Sequence, residues 1–306
     1  MGKETYYSNG KLLLTAEYVV LDGAMALALP TQFGQNLIVE SGKPNEINWK
    51  SFDADGSVWF EEKFSFDTIF QENKALIDNP IHRRLVEILH EAFQMNPSFL
   101  MANAGYTINT TLSFPKNWGL GTSSTLINNL SQWLKIDAFE LLQRSFGGSG
   151  YDIACAQKDN PIIYQLQNNK PHFQRVDFYP QFSNHLYFVY LNRKQNSQSA
   201  IANYINKQND IGKTIEKINK ITKNVIASSD LKSFAYEMEK HEHILSEVLE
   251  MITIKEAFFA DFKGVVKSLG AWGGDFVLAI SKENPTSYFK ERGFETVIPY
   301  EKMILK

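Results

Sequence analysis

With 306 residues, 43% hydrophobic and 21% charged, the chain can bury one large core or two ordinary ones, and the composition excludes a disordered protein. A net charge of −3 without a long Lys/Arg run argues against a nucleic-acid partner, and no apolar stretch reaches the roughly 18 residues of a membrane helix. The single cysteine, Cys155, cannot form an internal disulfide. The opening MGKETYYSNGKLLL lacks a signal-peptide pattern, and Tyr6 stands where myristoylation requires Ser or Thr, so a cytoplasmic protein without a membrane partner is expected.

The first part of the chain reads as strand-rich. KLLLTAEYVVL from Lys11 and QNLIVES from Gln35 are apolar and β-branched, and SVWFEEKFSF from Ser57 alternates enough for a half-buried strand. A helix is predicted from Asn79, a cap followed by Pro80, with Ile81, Leu85, Ile88, Leu89 and Phe93 on one face. YTINTTLSF from Tyr106 alternates as a strand and leads into FPKNWGLGTSSTLINNLSQWL, where a helix should begin. Residues 178–185 read as a connection, and LYFVYL from Leu186 opens a second region. Long helical patterns run from Ser199 to about Ala227 and from Asp230 to about Met251. Thr253 and Glu256 have capping-box spacing for a further helix ending at Gly270. DFVLAI reads as a buried strand, PTSYFKERG as a short helix closed by Gly293, and FETVIPY as a final strand. This mixture predicts two α+β domains, 1–180 and 181–306.

Four stretches invite chemistry. In the first, Gly119-Leu120-Gly121 precedes Thr122, Ser123, Ser124 and Thr125. A helix start exposes unpaired N–H groups and the positive dipole end, so the hydroxyls either cap the helix or accompany a bound anion. The stretch is neither a Walker A sequence, since no Lys precedes the hydroxyl pair, nor a Rossmann fingerprint, since Ser124 replaces the third Gly. In the second, GGSGYDIACA, small residues allow close backbone approach to a ligand ahead of Tyr151 and Asp152. The third, LGAWGGDFVLAI, carries Gly270, Ala271, Gly273 and Gly274 between predicted elements. The fourth is Lys11, a cation entering an apolar strand, which either snorkels to the surface or points into a site. A phosphate-type loop, a lysine, an aspartate and a second glycine loop together suit phosphoryl transfer to a hydroxyl. His241 and His243 lie two apart on a predicted helix, face different sides and read as part of a solvated face. Cys155 reads as core.

The order of these motifs resembles the kinase family named for galactokinase, homoserine kinase, mevalonate kinase and phosphomevalonate kinase, the GHMP kinases. NGKLLLTAEYVVLDGAMALALP, PKNWGLGTSS and LGAWGGD are similar to its three motifs, and the span Lys11 to Phe276 covers most of the chain. AEYVVLDG and GGDF resemble the mevalonate/phosphomevalonate kinase branch, and GSGYDIA resembles the segment holding the family's catalytic aspartate, in the form of a bacterial GYDIA subgroup. Ala16 departs from the usual Gly before Glu17, and Trp272 replaces a Gly of the third motif, where an indole could narrow the space beside the phosphates.

The resemblance implies a two-domain α+β fold: an N-terminal mixed α/β domain with a left-handed βαβ unit, and a C-terminal ferredoxin-like domain. It implies ATP with its phosphates over Gly119–Ser124 and Mg2+ held partly by Ser123. Asp152 would accept or orient the substrate proton, with Lys11 beside it. Gly270, Ala271, Gly273 and Gly274 would shape the site floor, and Glu17, Tyr18 and Tyr151 are candidate substrate contacts. Glu140 is the nearest counterpart to a magnesium-binding glutamate, although Asp137 and Glu140 also have capping-box spacing. The implied partner is a small-molecule hydroxyl or phosphate acceptor, mevalonate or 5-phosphomevalonate, with homoserine or a sugar as alternatives. A phosphate-bearing acceptor would need cations, for which Arg193 and Lys194 are candidates. A nucleotide-binding protein without turnover is the non-enzymatic alternative, and a homodimer is left open.

Overall fold

The computed structural model describes residues 2–70, 77–101, 104–193, 204, 211–270, 272 and 274–306. The chain forms two compact units, Met1–Gly10 with Phe33–Lys116 and Leu120–Gln157, and Lys11–Gln32 with Asn117–Gly119 and Lys158–Lys306. They interleave in sequence because β1 (Glu4–Leu13) and β2 (Ala26–Ser41) each run from one into the other.

In the first unit the strand order is β4-β3-β5-β2, from β3 (Glu46–Phe52), β4 (Val58–Ser65) and β5 (Tyr106–Leu112). The β3–β5 pair is parallel and the other two are antiparallel, while β1 pairs with β2. Strict alternation in β5 buries Tyr106, Ile108, Thr110 and Leu112 on one face. Among the described residues five helices belong to this unit: α1 (Phe66–Phe70), α2 (Pro80–Met95), α3 (Thr122–Leu134), α4 (Ala138–Ser145) and α5 (Tyr151–Ala156). Their apolar faces join the strands in one core that includes Trp49, Ile108, Leu89, Leu130, Leu141 and Ile153. Asn79 caps α2 as predicted, accepting from the N–H groups of Ile81 and His82, with Pro80 in the first turn. Of the predicted face, Leu85, Ile88 and Leu89 are buried, whereas Ile81 is exposed.

In the second unit, Ala26–Ala28 of β2 pairs antiparallel with β6 (Ile162–Gln167), which pairs antiparallel with β7 (Lys170–Arg175). A separate antiparallel sheet has the order β11-β8-β10-β9, from β8 (Leu186–Tyr190), β9 (Val265–Leu269), β10 (Phe276–Ile280) and β11 (Val297–Pro299). Every residue of β10 is buried, as its unbroken apolar run predicts. The helices here are α6 (Gly212–Ala227), α7 (Leu231–Leu249), α8 (Ile254–Phe258), α9 (Thr286–Lys290) and α10 (Tyr300–Met303). The chain is thus α+β, a mixed sheet plus a small antiparallel one.

Two predicted elements differ. The strand from Lys11 stops at Leu13, and Val19–Asp22 forms a 3-10 turn. Burial of Val19 and Val20 overrides their strand preference, and positive φ at Ala16 (69°) and Tyr18 (64°) turns the chain. The capping box at Thr253 and Glu256 forms, but the helix ends at Phe258 rather than Gly270. Val265–Leu269 is a strand instead, because its five residues pair in register with β10. Of the helical pattern from Ser199, residues 199–203 and 205–210 lie outside the described residues.

Candidate functional site

In the first unit, α3 answers the question raised by its run of hydroxyls. Gly121 is the N-cap, at φ 101°, and no side chain caps the helix. Instead the Ser124 hydroxyl donates to the Gly121 carbonyl at 2.9 Å. The Thr125 hydroxyl lies 3.0 Å from the same carbonyl and 2.8 Å from Gln35 Oε1. Ser124 and Thr125 are buried and Ser123 is exposed. The first-turn amides therefore carry no capping side chain, unlike those of α2, α4, α7 and α8, which Asn79, Asp137, Asp230 and Thr253 cap. That leaves a helix N-terminus suited to an anion. Buried amides fix its axis: Asn129 donates to the Gln35 carbonyl at 2.9 Å and accepts from Ser8 at 2.7 Å, and Asn128 donates to Ser8 at 2.8 Å.

Helix α5 packs against α3 and begins in the same manner, after Gly150 at φ 84° and without a side-chain cap. Tyr151 and Asp152 open it, both partly exposed, and Ile153 N–H donates to Asp152 Oδ1 at 3.1 Å. Glu140 sits on α4, where its N–H bonds the Asp137 cap at 2.8 Å and its carboxylate pairs with Arg144 at 2.5 Å. Among the described residues no cluster of three or more His, Cys, Asp or Glu could hold a metal by itself. Magnesium held mainly by phosphates needs no such cluster, and the exposed Ser123 hydroxyl fits that arrangement.

In the second unit, Lys11 Nζ donates to the Gly119 carbonyl at 3.2 Å, which brings the predicted lysine onto the first glycine of the loop. Gly119 has φ 67°, and a Cβ there would stand 1.8 Å from Asp275 Oδ2. Only glycine admits both that backbone and that close carboxylate. Asn117 and Trp118 hold the approach: Tyr190 donates to the Asn117 carbonyl at 2.9 Å, and Trp118 meets Phe276 edge-on at 5.6 Å.

The same unit buries a charged cluster around Glu17. Lys267 Nζ lies 2.6 Å from Glu17 Oε1 and 3.9 Å from Glu242 Oε2, and all three side chains are essentially buried. Glu242 also accepts from the N–H and hydroxyl of Ser268 at 3.0 and 2.7 Å. Ala16 N–H donates to His241 Nε2 at 2.8 Å, which makes Nε2 an acceptor and assigns the ring proton to Nδ1. Burial holds His241 well below the usual histidine range, helped by the Lys267 charge, so the ring is neutral. Burial pushes the Glu17 and Glu242 carboxyls up, with Lys267 opposing it. His241 and Glu242 are thus core residues and only His243 is exposed, which corrects the expected solvated face. Tyr18 is buried too, and its hydroxyl accepts from Trp272 N–H at 2.8 Å.

No protein-family model matches the sequence, and no curated protein matches it significantly. Solved structures do. The Methanococcus jannaschii mevalonate kinase superposes at TM-score 0.68 and 17% identity, covering 97% of this chain and 96% of that one. The Streptococcus pneumoniae phosphomevalonate kinase, solved in complex with phosphomevalonate and AMPPNP, gives 0.67 and 15%, covering 99% and 98%. The Lactococcus lactis galactokinase, complexed with galactose, gives 0.64 and 13%, covering 94% and 88%. The chain has the fold of these small-molecule kinases.

Within this kinase fold one departure from the motifs carries backbone strain and the other is built into the core. Ala16 adopts the left-handed backbone that a glycine would take without strain. The Trp272 indole is 4% exposed and its Nε1 donates to the Ile252 carbonyl at 3.1 Å, so the ring is part of the core. Gly270 has φ 70° and Gly274 is buried, while Ala271 and Gly273 lie outside the described residues. Arg193 stacks on Phe258 at 4.0 Å, and Lys194 lies outside the described residues. Cys155 is fully buried, as expected. No helix among the described residues is long and apolar enough to cross a membrane. Three residues escaped sequence reasoning: Lys267, Glu242 and Asp275. The available signal was a lysine inside the apolar run VVKSL, whose charge demanded a buried partner.

Proposed function

We propose that the chain is a kinase that transfers the γ-phosphoryl group of ATP to a small-molecule hydroxyl or phosphate, with mevalonate or 5-phosphomevalonate as acceptor. The observation that carries this reading is the start of α3, where four hydroxyl residues stand at a helix N-terminus that none of them caps. Such amides neutralise phosphate charge, and a glycine N-cap leaves room for it. ATP would supply the phosphoryl group and Mg2+ would offset its charge. The Thr122, Ser123 and Ser124 amides would bind the phosphates and the Ser123 hydroxyl would meet the metal. Asp152, held by the first turn of α5, would orient the acceptor hydroxyl and take its proton, and Lys11 would stabilise charge on the phosphoryl oxygens. Residues 1–180 would carry the phosphate loop and Asp152, and 181–306 the third glycine motif. For a phosphorylated acceptor, Arg193, stacked on Phe258, is the candidate cation.

The test is ATP consumption with mevalonate, 5-phosphomevalonate, homoserine and galactose in parallel, for the native protein and Asp152→Asn. One acceptor should turn over, and Asp152→Asn should lower that turnover by about 10²–10⁴ with nucleotide affinity little changed. Turnover with galactose alone would move the assignment to a sugar kinase, in line with the galactokinase neighbour. Near-normal turnover in Asp152→Asn would remove the aspartate from the mechanism.

A further inference from the structure

A chain of polar side chains runs through the first unit. Gln157, the C-cap of α5, donates from Nε2 to Asn128 Oδ1 at 3.1 Å. Asn128 Nδ2 donates to the Ser8 hydroxyl at 2.8 Å, Ser8 donates to Asn129 Oδ1 at 2.7 Å, and Asn129 Nδ2 donates to the Gln35 carbonyl at 2.9 Å. Asn128 and Asn129 lie on α3, Ser8 on β1 and Gln35 on β2, and all of them are buried, whereas Gln157 is exposed. The Gln35 side chain meets α3 again, its Oε1 lying 2.8 Å from the Thr125 hydroxyl in the first turn. Buried polar groups are costly unless each is paired, so such a network tolerates few alternative arrangements.

One atom sets the direction of the whole chain. A backbone carbonyl only accepts, so Asn129 must turn its NH2 to Gln35 and its Oδ1 to Ser8. Ser8 must then donate its one proton to Asn129 and accept from Asn128. Gln132 Nε2, 3.4 Å from the same Ser8 oxygen, is a second donor and favours the same polarity. Asn128 thereby presents only its Oδ1 to Gln157, and whatever stands at position 157 has to donate. Flipping any amide would set two acceptors or two donors face to face. The far end of this chain is α5, six residues long, with Asp152 in its first turn. A helix this short is placed by packing and side-chain ties more than by its own ladder.

We propose that Gln157 is a positioning residue, whose amide donates into a chain polarised from the Gln35 carbonyl and so sets α5, and Asp152 with it, against α3. The kinetic consequence rests on the kinase reading above; the polarity of the chain does not.

The experiment compares the native protein with Gln157→Glu, which keeps the size of the side chain and removes its donor, and Gln157→Lys, which restores a donor without the amide. Position 157 is exposed, so both variants leave the core intact. In Gln157→Glu, kcat with the accepted substrate should fall about tenfold, less than the 10²-fold that a misplacement of about 1 Å can cost, while KM for ATP and the melting temperature hold. Gln157→Lys should keep a kcat near that of the native protein. Solvent exchange of the Asn128 side-chain NH2, followed by heteronuclear NMR without nucleotide, should quicken several-fold in Gln157→Glu and stay near native in Gln157→Lys. A native kcat in Gln157→Glu, or an equal loss in Gln157→Lys, overturns donation as the role of this residue. A raised KM for ATP with kcat unchanged would move the effect to the first-turn amides of α3 and overturn the assignment to α5. If the native protein consumes no ATP with any acceptor, the kinase reading fails and the NH2 exchange alone decides the chain, unchanged exchange in Gln157→Glu overturning it.

Discussion

Lys267→Met tests the energetics of the second unit most directly. Lys267 stands 2.6 Å from Glu17 and 3.9 Å from Glu242, with exposures of 0%, 2% and 2%. Removing the cation leaves two buried carboxyls facing a thioether. Breaking one side of a buried ion pair costs about 3–5 kcal/mol, which at a urea m-value of about 2–3 kcal/mol/M moves the midpoint by about 1–2.5 M. The loss depends on pH. Both carboxyls are already raised above the ordinary 4.5, so the folded state keeps protons that the unfolded chain has released. Their stabilising contribution is complete below about pH 4.5 and is lost as pH rises through the folded values. Without Lys267 those values rise further, so the deficit of Lys267→Met should be greater at pH 8 than at pH 5. His241 works in the other direction: its depressed value removes stability as pH falls below about 6.5, and by less in the variant, which lacks the Lys267 charge that helps depress it. Urea unfolding followed by circular dichroism at the two pH values measures the effect. The double variant Lys267→Met with Glu17→Gln should recover about half of the loss at pH 8. A deficit under about 1 kcal/mol, or one equal at both pH values, would refute the argument.

Three further predictions follow from single sites. Trp272→Gly should destabilise by about 3–5 kcal/mol, because it deletes a buried indole and its hydrogen bond; an unchanged melting temperature would return the ring to the surface. Ser124→Ala should cost about 1 kcal/mol through its lost bond to Gly121 yet keep nucleotide use, whereas Ser123→Ala should keep the melting temperature and weaken magnesium–ATP use; matching kinetics for the two would contradict their division of roles. Gly119→Ala should cost about 1–2 kcal/mol for its backbone alone and should displace the Asp275 carboxylate, so Asp275→Ala in the same chain should restore part of the stability; no recovery in the melting curve of the double variant would count against that contact.

Local chemistry determined much of this protein in advance. Asn79-Pro80, Thr253 with Glu256, and the run DFVLAI specified a cap, a capping box and a buried strand, because each depends on neighbours within a turn or a strand length. The motif order likewise pointed to the kinase fold, but the contact of Lys11 with the Gly119 carbonyl came only from the folded chain. Tertiary structure decided what depends on partners distant in sequence. Val265–Leu269 became a strand because β10 offered its edge, and the valines of AEYVVL left the strand because their burial follows a turn held by residues more than 200 positions away. His241 and Glu242 read as solvated because a helix taken alone says nothing of what covers it. Lys267 and Ala16 N–H, both distant in sequence, turned that face into core. The hydroxyls of α3 show both levels at once. Their presence was written in the sequence, but only folding assigned Ser124 and Thr125 to the Gly121 carbonyl and left Ser123 exposed, because hydroxyl rotors choose among acceptors that the packed backbone provides.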